Sequence, residues 1–97
     1  DMEPATWKDR LTHKNKLHRY FFKIYYFFRS HQDNANAMRV MEAAEKKIPM
    51  NAKVKVALGN LYFQQGIFYK ALEKYEHALL LDPENKRAIE MISKINQ

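Results

Sequence analysis

Ninety-seven residues suffice for one small domain, and 46% apolar with 29% charged residues describes a folded rather than a disordered chain. The absence of cysteine removes disulfides, thiol catalysis and thiolate metal sites, and leaves the redox compartment undetermined. The net charge of +6 is concentrated towards the start of the chain, where seven Lys/Arg up to Arg29 face only Asp1, Glu3 and Asp9; such a segment favours acidic partners, whether protein, nucleic acid or anionic lipid.

No stretch approaches the roughly 20 apolar residues that a membrane span needs. The most apolar run, Tyr20 to Phe28, is short and bounded by Arg19 and Arg29. No apolar core followed by small residues suggests a secretion signal. The start, DMEPAT, is expected to be a boundary within a longer protein.

Only Gly59, Gly66, Pro4, Pro49 and Pro83 break the chain, and helix-forming Ala, Lys, Glu, Leu and Met dominate the remainder. An all-α fold follows. In chain order, Pro4 suits the first turn of a helix over 5–17, and a second helix covers 18–30. No Gly or Pro lies between Ala5 and Arg29, so 5–30 reads equally as one continuous helix. Asp33 or Asn34 caps a helix over 34–47. Pro49 ends that helix, and Asn51 caps the next, over 52–65. Gly66 supplies a left-handed terminus before a helix over 68–81. The turn Asp82-Pro83-Glu84-Asn85 leads into the last helix, near 85–96.

Shifting the sequence so that Pro49 falls on Pro83 also superimposes Ala37 on Ala71 and Ala44 on Ala78. With the same shift Ile24 falls on Leu58, Phe28 on Tyr62, and Met41 on Tyr75. A helical hairpin of constant length is repeated.

Leu58-Gly59, Tyr62, Gly66, Tyr69, Ala71, Tyr75, Ala78 and Pro83 stand at the spacings of the tetratricopeptide repeat, which residues 52–85 therefore resemble. Lys55 departs from the pattern, at a position where the family often has Trp. Residues 18–51 resemble it less closely. Phe21 holds the Trp position, and Ile24, Phe28, Ala37, Ala44 and Pro49 agree. Tyr25 replaces a small residue, and Gln32 replaces the glycine of the hairpin turn.

The resemblance implies one domain over 1–97, a right-handed helical-hairpin solenoid of about two repeats. An N-terminal helix would turn Trp7 and Leu11 inward. A C-terminal helix over 86–97 would pack back through Ala88, Ile89, Ile92 and Ile95, its outer face kept soluble by Lys86, Arg87, Glu90 and Lys94. In the aromatic run, Phe21, Ile24, Tyr25 and Phe28 would pack within their own hairpin. Tyr20 and Phe27 would face the N-terminal helix, and Phe22 and Tyr26 would be open to a partner.

Family members form a concave groove from the first helix of each repeat, and that groove usually receives an extended peptide or a helix. By the resemblance its lining here is Arg19, Phe22, Tyr26 and Arg29, then Lys53, Val56, Asn60, Phe63 and Gln64, then Arg87 with Glu90 as an additional candidate. An apolar centre with basic surroundings suits a protein ligand with apolar anchors and acidic flanks. Phe22, Tyr26, Val56 and Ala57 stand where some relatives carry a Lys/Asn clamp for chaperone C-terminal carboxylates, so that role is not expected.

Catalytic chemistry finds no constellation. Ser30 and Ser93 lack a nucleophile context. His13 and His18 are five apart and do not share a helical face as i, i+4 metal ligands would; His31 and His77 stand apart from them. Glu42 and Glu45, followed by Lys46 and Lys47, read as a solvated face. No cofactor, metal or small-molecule substrate is expected. Two further readings carry weight: self-association through surplus aromatics, and contact of the basic run Lys8, Arg10, Lys14, Lys16 and Arg19 with nucleic acid or anionic membrane.

Overall fold

The computed structural model describes residues 17–97. The expected helix over 5–17, with Trp7, Leu11 and most of the basic run, lies outside them but for residue 17. Among the described residues five helices follow one another: α1 over 17–30, α2 (Asn34–Lys47), α3 (Ala52–Gln64), α4 (Phe68–Leu81) and α5 (Lys86–Ile95). Three of them begin on a side-chain cap. Asp33, Asn51 and Asn85 accept hydrogen bonds from the backbone N–H groups of Asn36, Val54 and Ala88, satisfying donors that a helix start leaves unpaired.

The turns within the two hairpins have the same bonding at equivalent positions of the repeat. Asp33 N–H donates to the Phe28 carbonyl at 2.8 Å, and Ile67 N–H to the Tyr62 carbonyl at 3.0 Å. Gln32 and Gly66 donate to the carbonyls of Arg29 and Phe63. Both turning residues adopt the left-handed conformation, with φ of 58° at Gln32 and 78° at Gly66. A β-carbon makes that conformation unfavourable. The first hairpin therefore keeps the turn at an energetic cost that the second avoids.

Two adjoining apolar clusters form the core. One joins Phe22 and Tyr25 of α1 to Ala37, Met41 and Ala44 of α2 and to Val54, Ala57, Leu58 and Leu61 of α3. The other joins Val56 to Ala71, Tyr75 and Ala78 of α4 and to Ala88 and Met91 of α5. The four repeated alanines are fully enclosed, which lets the paired helices approach closely. Gly59 leaves no room for a side chain: an added β-carbon would lie 2.7 Å from Cε1 of Tyr75. The first hairpin places its bulk differently, with Tyr25 at the register of Gly59 and Met41 at that of Tyr75, all enclosed.

Glu45 joins three helices. Its Oε2 accepts from Lys55 Nζ of α3 at 2.6 Å and from Lys74 Nζ of α4 at 2.7 Å. Burial would raise its carboxyl, but the two ammonium groups outweigh this and hold it below the usual carboxylate range. Glu45 is thus not part of the expected solvated face, whereas Glu42 is exposed. Lys55, which replaces the family's frequent Trp, places an ion pair where an aromatic ring would stand.

Three other expectations change. Phe22 is only 5% exposed and belongs to the core, whereas Tyr26 is 54% exposed. Ile24 is exposed at 46% and does not pack within its hairpin, since its equivalent Leu58 is covered by the preceding helix and not by its own partner. On α5, Met91 is buried and Ile89 exposed, because the inward stripe runs through Ala88, Met91, Ile92 and Ile95 at i, i+3, i+4 and i+7.

Replacing Gln32 with Gly should stabilise the fold by about 1 kcal/mol, a rise of about 4–8 °C in thermal midpoint. An unchanged or lower midpoint would show that the turn carries no conformational strain. Phe22→Ala should cost about 3–5 kcal/mol, a large part of a small domain's stability. Tyr26→Ala should cost at most about 1 kcal/mol. Urea unfolding of the two variants tests the assignment, and equal losses would contradict it.

Candidate functional site

The first helices of the hairpins, α1 and α3, together with α5, border a concave surface of two adjoining hollows. One, of about 260 Å³, is floored by Phe22, Tyr25, Val56 and Ala57 and edged by Tyr26 and Lys53. The other, of about 250 Å³, is lined by Phe63, Gln64, Arg87, Met91 and Lys94. Arg29 and Asn60 line both and mark their junction. A wider depression at the α1–α2 turn takes in Ser30, Gln32 and Asn34 and shares Tyr26, Arg29 and Gln64 with this surface.

Helical spacing explains the gathering. Phe22, Tyr26 and Arg29 lie at i, i+4 and i+7, as do Val56, Asn60 and Phe63, so each set follows one stripe. The structure brings together Phe22, Tyr26, Arg29, Lys53, Val56, Asn60, Phe63, Gln64 and Arg87, while Arg19 lines neither hollow. Phe22 and Val56 form floor rather than projecting anchors, both being buried. Glu90 pairs with Arg87 at 3.0 Å, and both side chains remain more than half exposed, so the pair is well screened.

Met91 and Lys94 also line the surface and were absent from the expected groove set. Their signal lay in the repeat itself. Tyr26, Asn60 and Lys94 share one register position, as do Lys23, Ala57 and Met91. Extending the shift into the last helix would have found both.

Arg29, Lys53 and Lys94 rest on rings and amides. Lys53 Nζ stands 4.6 Å from the Phe22 ring centroid, and Lys94 Nζ 5.7 Å from that of Phe63. Arg29 donates to Asn34 Oδ1 at 3.0 Å and to Gln64 Oε1, tying α1 to both α2 and α3. Among the described residues, Arg29, Lys53 and Lys94 form no salt bridge.

Beneath the surface, the Tyr75 hydroxyl donates to Asn60 Oδ1, and burial pushes the phenol pKa up to about 12. It is therefore a neutral donor near neutral pH, fixing the amide of Asn60. His18 packs edge-on against Phe22, with ring centroids 4.9 Å apart, and its buried Nε2 has no hydrogen-bond partner among the described residues. Burial, then the nearby Lys53 and Arg19, lower its pKa, so the ring does not add to the cationic set.

Among the described residues no group of three His, Asp or Glu side chains is arranged to hold a metal ion. None of their helices is long and apolar enough to cross a membrane.

The tetratricopeptide repeat family model matches residues 52–85, which span α3, α4 and the turn to the cap of α5. No curated protein matches the chain. The matched boundaries coincide with the hairpin whose glycine, alanines and proline define the repeat register, so α3 and α4 are a tetratricopeptide repeat and the chain carries a domain of that family.

Proposed function

We propose that the concave surface of α1, α3 and α5 binds a peptide or helix of a partner protein, with apolar anchors in the two hollows and acidic residues beside them. Tetratricopeptide repeats are in general protein-interaction modules, and repeat proteins use concave faces of this kind. The chain then acts as a non-catalytic binding module, within a larger scaffold or assembly protein.

One observation carries the reading. Arg29, Lys53 and Lys94 edge an apolar floor and form no salt bridge among the described residues, whereas Lys55 and Lys74, which line neither hollow, share the Glu45 carboxylate. Ammonium groups on aromatic faces retain the capacity to attract a carboxylate. Tyr26, half exposed beside the first hollow, offers a flat apolar contact with little side-chain entropy to lose.

Selection from a displayed random-peptide library on the immobilised chain tests this without knowledge of the natural partner. Recovered peptides should carry Asp or Glu next to Leu, Met, Phe or Trp. Lys53→Glu should weaken their binding on the order of tenfold, about 1.4 kcal/mol, and added salt should weaken binding to the unmodified chain. Peptides without acidic bias would contradict the proposal. So would affinities unchanged by Lys53→Glu and Tyr26→Ala in variants that keep their helical circular dichroism.

A further inference from the structure

Helix α4 carries on its outer side a pattern that complements the concave surface. Tyr69, Glu73, Glu76 and Leu80 stand at i, i+4, i+7 and i+11, and all four are exposed. This stripe lies about 160° around the helix from Ala71, Tyr75 and Ala78, the residues that hold α4 in the core. Tyr69 and Leu80, 73% and 81% exposed, form its apolar ends, and two carboxylates stand between them. Asp82 and Glu84 follow in the next turn and are also exposed. These four carboxylates form no salt bridge among the described residues. The cations of α4 turn elsewhere: Lys70 stands 5.5 Å from the Tyr62 ring centroid, and Lys74 pairs with Glu45.

Resting on the binding role given above to the concave surface, we propose that its occupant is this stripe of a second copy, docked head to tail. The order of groups matches. The surface runs from the hollow over Phe22 and Val56, through Arg29 at the junction, to the hollow beside Phe63 and Met91. Tyr69 and Leu80 fill the two hollows, and Glu73 and Glu76 meet Arg29 between them. Asp82 and Glu84 reach an edge lysine, Lys53 or Lys94 according to the direction of the docked helix. Acidic groups set among apolar anchors are the chemistry that this surface complements.

A copy cannot fill its own groove, because its stripe points away from the core that joins α4 to α3 and α5. The two surfaces are unlike, so the contact is heterologous and every copy offers one of each. Chains or rings result, not a pair formed by matching the aromatic faces of two α1 helices.

Sedimentation of the full chain tests this. The weight-average mass should rise above 11.6 kDa with concentration and fall back as salt is added. Y69S/L80S on the stripe and K53E/K94E on the groove should each weaken association on the order of tenfold while keeping the helical signal. Mixed, the two variants should form a one-to-one pair and nothing larger, because one contributes an intact groove and the other an intact stripe. If Y69S/L80S loses the helical signal, E73Q/E76Q takes its place. A monomer mass up to about 1 mM overturns the proposal. So does a mixture that stays monomeric, and so does a dimer indifferent to both variants, which assigns association to the α1 aromatics. Acidic-apolar peptides that bind a chain which stays monomeric leave the groove's role standing and remove only the second copy as its occupant.

Discussion

At Gly59 the α3 helix has no room for a side chain, because the ring of Tyr75 lies where a β-carbon would be. The contact fixes how closely α3 and α4 approach, and the surrounding packing follows from it. Ala71 and Ala78 allow the same approach one helical turn on either side of Tyr75. The ring then fills the interface, and its hydroxyl reaches the next residue of α3, Asn60. A packing constraint inside the hairpin thereby fixes an amide at the junction of the two surface hollows. The first hairpin meets the same spatial demand with Tyr25 on its first helix and the more adaptable Met41 on its second.

Electrostatics distinguish two parts of the molecule. Lys55 and Lys74 converge on Glu45, whose single carboxylate offsets part of their charge where α2, α3 and α4 meet. Around the hollows Arg87 pairs with Glu90, while Lys53 and Lys94 stand over Phe22 and Phe63 and Arg29 bonds to Asn34 and Gln64, none of which carries a negative charge. Among the described residues, Arg29, Lys53 and Lys94 thus border a concavity with an apolar floor without an ion-pair partner. That combination, more than net charge alone, supports the proposed partner with acidic residues beside apolar ones.

The helices from α2 onward and their junctions were legible in the sequence, because Asp33, Asn51, Asn85, Gly66, Pro49 and Pro83 are local signals that act on the backbone close to where they stand. The assignment of faces was less so. Phe22 lies on the groove stripe, yet the chain cannot show that Lys53, His18, Tyr25 and Tyr26 close over its ring. Ile24 reads as core because Leu58 is core, but that burial depends on a helix preceding α3. Ile89 and Met91 both suit an inward position, and a rotation of α5 decides between them. Glu45 needs Lys55 and Lys74, both distant along the chain, a pairing that no local spacing announces. Lys94 was legible in principle, since the repeat places it after Tyr26 and Asn60.

The central claim is that recognition takes place on the face shared by α1, α3 and α5. Amide hydrogen–deuterium exchange of the chain, alone and saturated with an acidic-apolar peptide that it selects, measures this most directly. New protection should concentrate at the exposed ends of α1 and α3 and along α5, with α2 and the outer side of α4 unchanged. Protection centred on α2 or on the outer side of α4, with α1, α3 and α5 unaffected, would place recognition elsewhere and contradict the account.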